Sequence, residues 1–441
     1  MGFNLHTELF FIPLKSKNAL IVSDSQSGIE ECIGLLKTLG GNAQKTLLLS
    51  KRRIDPATYI GKGKVEEIAN ILEENLLDLL LVDFNLSPSQ VKNLEKNIRT
   101  LILDRSGIIL EIFNQHARTK EAKLQVELAR LEYLAPRLTH LWSHFERQRG
   151  AGGLSQKGKG MGEKQIEVDR RLIKNQISLL KKRLQEVEKS KTLHRRHRKS
   201  ILKIALVGYT NAGKSTILNA LTDSQVYVEN TLFATLDASV KLLDPKSRPQ
   251  ILAIDTVGFI DRLPHSLVAS FRSTLSEILE ADLLIHVIDS SHAERERQFE
   301  VTSKVLEELK ATSIPQFFIF NKVDCCKDLP VLKIWVAKLA RPENLHRANP
   351  TQYNEMTSKP LYINAFNPSH IQELRKNILK YFENRMNTYD VVIPYENGKI
   401  ISKLFEVSSI LTKHNTPKGL FFRIKTMPQF AQALNLEQYR V

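Results

Sequence analysis

The stretch KIALVGYTNAGKSTILNAL, Lys203 to Leu221, constrains this 441-residue chain more than any other. Four short aliphatic residues, Ile204 to Val207, read as a buried strand, and Gly208 to Ser215 then fit G-x-x-x-x-G-K-[ST]. A strand that turns through such a loop into a helix opens an α/β domain, and its glycines let backbone N–H groups approach phosphate oxygens closely. In this arrangement Gly208, Tyr209, Thr210, Asn211, Ala212 and Gly213 form the cradle, and Lys214 reaches the terminal phosphates. The Ser215 hydroxyl ligates Mg²⁺, and a helix starting near Thr216 points its positive end at the anion.

Downstream, ILAIDTVGF (Ile251 to Phe259), DLLIHVIDSS (Asp282 to Ser291), QFFIFNKVD (Gln316 to Asp324) and PLYINAF (Pro360 to Phe366) are apolar strands that each end in polar residues. In a parallel sheet those ends share the edge where open α/β folds bind ligands. Asp255, followed by Thr256, Val257 and Gly258, is placed to hold Mg²⁺ through water, with the Gly258 N–H reaching the γ-phosphate. The run Asn321, Lys322, Val323, Asp324 selects the base: a carboxylate accepts hydrogen bonds from guanine N1–H and its 2-amino group, whereas adenine offers neither donor. GTP and GDP are therefore the expected ligands. Phe259 follows Gly258, and its ring cannot polarise water, so weak intrinsic hydrolysis is expected, raised by a partner that orders the switch loops. No catalytic base is assigned.

Charge points to a second partner. Sixty-four Lys and Arg against 48 Asp and Glu give a formal net charge of +16. Between Arg147 and Lys199 alone there are 17 basic and five acidic side chains, a stripe that suits a polyanion such as RNA. No apolar run is long enough to span a bilayer, and the N-terminus lacks the pattern of a secretory signal, so a cytoplasmic protein is expected. Cys32, Cys325 and Cys326 are too few for a disulfide framework.

The pattern along the chain predicts an α/β multidomain protein. Residues 1–115 alternate short apolar strands with helical patterns, as in a small parallel α/β domain, and the glycines of YIGKGKVEE read as a loop entering a helix. Residues 116–200 carry two apolar seams, Leu124, Leu128, Leu131, Ala135, Leu138, Trp142, Phe145 and Ile173, Ile177, Leu180, Leu184, Val187. These predict an antiparallel helical hairpin, kinked at Pro136, whose tip is the basic glycine-rich loop Arg147 to Gln165. Residues 201–387 form the central P-loop GTPase domain, and residues 388–441 a small C-terminal α+β domain.

The runs DPATYIGKGKVEE, LSPSQVKNLEK, DRSGIILEIF, RTKEAKLQVELARLEYLAPRL, GYTNAGKSTILNAL, LFATLD, DTVGFI, LPHSLVASFRSTL and NKVD cover most of Asp55 to Asp324. Through them the chain resembles the HflX family of translation-factor-related, ribosome-associated GTPases. The resemblance implies a monomeric partner of the large ribosomal subunit and its rRNA, with the hairpin near the RNA-rich centre, acting in ribosome splitting or rescue. Subunit maturation, and a GTP-dependent RNA-modifying or RNA-remodelling activity, stay open as alternatives. It further implies that Phe233, Ala234, Thr235, Leu236 and Asp237 form a switch loop in which Thr235 completes the Mg²⁺ shell. Asn211 resembles the asparagine of cation-dependent relatives that hold K⁺ beside the phosphates, or is a loop asparagine tolerating a tight turn. Where the family usually carries Ser-Ala in its last base-contacting motif, this chain has Asn364, Ala365 and Phe366.

Overall fold

The structure, a computed structural model, describes residues 14–50, 54–137, 159–197, 201–222, 232–233, 239–245, 247–262, 277–339 and 360–441. It divides into two compact units, the first comprising residues 1–188, 230–236 and 261–272 and the second the remainder.

In the first unit β1 (Asn18–Ser23), β2 (Asn42–Leu48), β3 (Leu79–Val82) and β4 (Leu101–Asp104) form a parallel sheet in the order β2-β1-β3-β4. The central strands are continuous apolar runs because helices cover both faces of such a sheet. Between strands lie α1 (Gln26–Thr38), α2 (Lys62–Glu74) and α3 (Pro88–Asn97). Val65, Ile68, Leu72, Val91 and Leu94 of α2 and α3 pack on Leu20, Val22, Leu80 and Val82, each burial worth about 1.5–3 kcal/mol. Gly61 caps α2, so YIGKGKVEE is a loop entering a helix.

A helix absent from the sequence expectations follows β4 without a loop: α4 (Arg105–His116), capped by Asp104, whose carboxylate accepts from Gly107 N–H at 2.8 Å. Arg105 through Phe113 are all buried. Next, α5 (Lys120–Leu134) ends in a 3₁₀ turn, Ala135–Arg137, so Pro136 terminates the α-helix where a kinked continuation was expected. Leu138, Trp142 and Phe145 lie outside the described residues. The root of the hairpin is tied to the sheet: Tyr133 donates to Asp104 at 2.8 Å, and Arg137 donates to the Leu86 carbonyl at 2.6 Å. The second hairpin helix, α6 (Lys159–His197), starts earlier than the glycines suggest, placing Gly160 and Gly162 in helix rather than in the expected loop. Leu124, Leu128 and Leu131 pack against Ile173 and Leu180, with Ala135, Ile177, Leu184 and Val187 flanking them.

The second unit has a six-stranded sheet made of β5 (Leu202–Gly208), β6 (Ser239–Leu242), β7 (Ile251–Asp255), β8 (Leu283–Asp289), β9 (Gln316–Asn321) and β10 (Leu361–Tyr362). Its order is β10-β9-β8-β5-β7-β6; all neighbours are parallel except the edge strand β6, which runs antiparallel to β7. Helices α7 (Lys214–Thr222), α8 (Arg295–Glu308), α9 (Leu329–Leu339) and α10 (Pro368–Glu383) flank it. A three-stranded antiparallel sheet completes the unit, with β11 (Asn387–Ile393), α11 (Gly398–Val407), β12 (Ser408–Thr416), β13 (Gly419–Thr426) and α12 (Pro428–Ala433). Val407, Met427 and Phe430 enter the same buried cluster as Ile378, Tyr381 and Phe382, so this sheet is joined to the larger one through its helices.

Candidate nucleotide-binding site

The carboxyl ends of β5, β7, β8 and β9 bring Gly208, Asp255, Asp289 and Asn321 to one edge, with the loop after β10 carrying Asn364 to Phe366 beside them. Residues Tyr209 to Gly213 turn between β5 and α7, which begins at Lys214, two residues before the expected Thr216. The loop is stitched to the segment after β7: Thr210 N–H donates to the Phe259 carbonyl at 2.7 Å, and Phe259 N–H to that of Gly208 at 3.1 Å. Phe259 is buried, consistent with its lacking any role in polarising water.

Two glycines are required by close approach. At Gly213, with φ of 95°, an added Cβ would collide with the Asn321 amide nitrogen. At Gly258 a Cβ would sit 2.8 Å from Thr210 Cα and 3.0 Å from Lys214 Nζ. The Gly258 backbone therefore lies against the lysine end of the loop, a position only a bare amide can take.

Lys214 is buried, its ammonium donating to the carbonyls of Gly208 (3.2 Å) and Tyr209 (2.8 Å). Burial brings its pKa down to about 8, with Asp255 opposing the shift. An anion at the loop would restore the charged form. Ser215 Oγ donates to Asp255 at 2.5 Å. Hydroxyl and carboxylate oxygens are the hard donors that suit Mg²⁺, and these two already lie together at the start of α7, so the pair fits that ion. Thr216 is half-buried on the first turn of α7. Thr256 and Val257 are buried, and the Thr256 hydroxyl is used by the Leu206 carbonyl at 2.6 Å.

One amide side chain ties three loops together. Asn321 Nδ2 donates to the Ala212 carbonyl at 2.9 Å, and its Oδ1 accepts from Ala365 N–H at 3.2 Å. Lys322, held at φ of 58°, donates to the Asn211 carbonyl at 2.9 Å and pairs with Asp289 at 2.7 Å. Asp289 was missed from sequence; its position at the end of HVIDSS, one strand before the lysine, was the available signal. Val323 opens a 3₁₀ turn, and Asp324 is exposed beside it. In place of Ser-Ala, Asn364 accepts from Phe366 N–H at 2.8 Å, and the Phe366 ring is 83% exposed. Asn211 has φ of 59°, a left-handed turn that asparagine tolerates, which accounts for this residue without K⁺.

Phe233 belongs to the first unit, where it is buried and edge-on to Phe113 with ring centroids 4.8 Å apart. Ala234, Thr235, Leu236 and Asp237 lie outside the described residues. Sequence reasoning also missed a second cluster of charge, at the carboxyl edge of the first sheet. Arg105, fully buried, pairs with Asp83 and Glu31 and donates to the Asp261 carbonyl at 3.1 Å. Its carboxylate partners hold its pKa above the usual arginine range against the opposing effect of burial. Arg262 donates to the Asp83 carbonyl at 2.8 Å and to Asp24 at 3.2 Å.

The family model described as 50S ribosome-binding GTPase matches residues 203–322; the GTP-binding GTPase N-terminal model matches 26–114 and the Middle Region model 116–198. The chain is 41% identical to the GTPase HflX of Magnetococcus marinus over 87% of its own length and 84% of the relative's. It is 36% identical to the GTPase HflX of Caldanaerobacter subterraneus subsp. tengcongensis over 95% and 93%. A solved structure of SsGBP in complex with GDP is similar at 26% identity and a TM-score of 0.47, over 83% of this chain and 98% of the other.

Proposed function

The chain belongs to the HflX family of GTPases, and from that premise we propose that it binds the large (50S) ribosomal subunit in a GTP-dependent way, in the cytoplasm and as a monomer. Its task there is to split or rescue stalled ribosomes, or to assist subunit maturation, with the ribosome stimulating hydrolysis. The observation that carries this reading is the two-sided character of α6. Ile173 and Leu180 are buried against α5, while Arg170, Arg171, Lys174, Lys181, Lys182 and Arg183 are exposed. A helix so divided presents cations to a polyanion at a fixed place.

In the nucleotide site the Tyr209 to Lys214 amides and the Lys214 ammonium hold the β- and γ-phosphates. Ser215 and Thr235 would ligate Mg²⁺ and Asp255 would hold it through water; when bound, the ion neutralises charge developing on the phosphate oxygens. The Gly258 N–H reports the γ-phosphate. Asp324 accepts the two guanine donors, Lys322 lies along the base plane, and the amides of Ala365 and Phe366 lie at the base-side loop. Phe259 activates no water, so turnover awaits the partner.

Sedimentation with purified 50S subunits tests the reading. Retention is expected with GTP or a non-hydrolysable analogue and loss with GDP, together with faster hydrolysis when subunits are present. Equal sedimentation in every nucleotide state, with an unchanged rate, overturns it.

A further inference from the structure

Asp289 ends β8, and register places it opposite Asn321 at the end of β9. It is 8% exposed, so its charge is held largely away from water and needs partners within the protein. Its Oδ1 accepts from the Ser291 N–H at 2.9 Å and from the Ser291 hydroxyl at 2.6 Å, in the turn that follows the strand. That orients Oδ2 toward Lys322, which donates to it at 2.7 Å. The turn is itself pinned to β9, because the Ser290 N–H donates to the Asn321 carbonyl at 2.9 Å.

Lys322 is a residue that needs holding. With φ of 58° it stands in the left-handed region, which a long L side chain adopts only where its surroundings compensate. Its side chain is 30% exposed, so without anchors it would spread over many rotamers in solvent. Two anchors prevent this, the Asn211 carbonyl at 2.9 Å and the Asp289 carboxylate. With Asn321 on the Ala212 carbonyl, consecutive residues at the end of β9 grip consecutive carbonyls of the phosphate loop. Asn321 is braced from its other side by the Ala365 N–H, and Asp289 is the brace of Lys322.

Resting on the placement of Lys322 along the base plane, we infer that Asp289 is a positioning residue that slows release of the guanine nucleotide. It keeps the lysine ammonium over the phosphate-loop carbonyl, and the alkyl stem is then held stretched beside the base. Both carboxylate oxygens are engaged within the protein, so Asp289 acts through Lys322 and leaves the choice of base to Asp324. The pair lies on the base side of the site, so GDP and GTP gain retention alike. A fixed side chain also costs less to order when the nucleotide enters, which lengthens residence more than it alters encounter.

The test uses the full chain loaded with GDP carrying an N-methylanthraniloyl fluorophore and chased with unlabelled GDP. Asp289→Asn keeps the shape and removes the charge; it is expected to speed release about tenfold, the scale of a hydrogen bond to a charged group. The KM for GTP is expected to rise by a similar factor, with kcat at saturating GTP within about twofold of the unmodified chain. The ratio of GDP to IDP affinity is expected to stay unchanged, and Asp289→Glu, which retains the charge, is expected to recover part of the loss. Lys322→Met is expected to speed release by itself, and adding Asp289→Asn to it is expected to speed release no further, because the two residues act as one unit. Ser291→Ala, at an exposed position, is expected to give a smaller acceleration of about twofold and keeps the inference testable if Asp289→Asn unfolds. Equal acceleration by Asp289→Asn with and without Lys322, an altered GDP to IDP ratio, or unchanged release in the folded variants at both Asp289 and Ser291 overturns the inference and leaves the nucleotide site standing. Unchanged release in Lys322→Met removes the placement of the lysine along the base, and the inference with it.

Discussion

The four-stranded parallel sheet and the mostly parallel six-stranded sheet of this protein offer the same kind of edge and finish it in opposite ways. In each, strands end together on the side where open α/β sheets take ligands. At the first sheet's edge, between β1 and β3, Asp83 is buried and answered from within the protein by Arg105, with Arg262 and Asp24 beside it. At the second, a glycine-bounded loop leaves backbone amides at the edge, one lysine is held on carbonyls it can surrender, and Asp324 is exposed. A carboxylate at a strand end therefore does not mark a ligand by itself. What differs between the two edges is that Arg105 of the same fold answers Asp83, whereas Asp324 is left exposed.

The largest effect is expected on the open edge. Asp324→Asn should lower GTP affinity by about 10⁴-fold, the scale on which a site built for hydrogen bonds rejects a mismatched partner, and should admit xanthosine triphosphate, whose 2-oxo group an amide can face. Equilibrium titration with both nucleotides checks it; unchanged GTP affinity would remove the contrast with Asp83. On the closed edge, Asp83→Asn leaves Arg105 buried with reduced compensation and should destabilise the first unit by about 3–5 kcal/mol in urea unfolding. A stable variant that gained phosphate binding would show the edge to be a masked site.

Lys214 gives a pH test that sharpens the comparison. Its pKa is about 8 without an anion, and phosphates favour the charged form, so below pH 8 binding takes up little or no proton at this group. Above pH 8 the lysine must be protonated on binding, and affinity for GDP should fall by up to about tenfold per pH unit toward pH 10. Calorimetry in buffers of differing ionisation heat would detect that proton uptake, and a flat profile would mean the phosphates lie elsewhere. The smallest effect is expected from Arg262→Ala. Arg105 still answers Asp83, so the loss should be about 1 kcal/mol, and amide exchange at Asp261 and Arg262 should quicken.

The contrast explains what could be read in advance. Gly208 to Ser215, Asp255 to Gly258 and Asn321 to Asp324 are legible because their chemistry depends on residue type at short spacing, next to apolar strands that announce themselves. The seams of α5 and α6 are legible for the same reason, since Leu128 and Leu180 repeat at helical intervals. By contrast, α4 is buried over nine successive residues including Arg105 and Glu111, so it shows no polar face for a pattern to reveal. The Arg105–Asp83 pair spans 22 positions and Arg262 reaches Asp83 across 179, separations that no local motif encodes. The start of α6 was missed because Gly160 and Gly162 argue locally for a loop, whereas the long run that follows continues the helix back through them.

Asn321 carries a consequence for how the base is received. Because its amide joins the Ala212 carbonyl to the Ala365 N–H, the phosphate loop and the base loop are registered to each other by the fold itself. Little backbone freedom is then left to be lost at encounter, and the rotational entropy that would otherwise oppose capture has already been surrendered during folding. That cost falls on folding, where one side chain sets the spacing of two loops that lie far apart in the sequence.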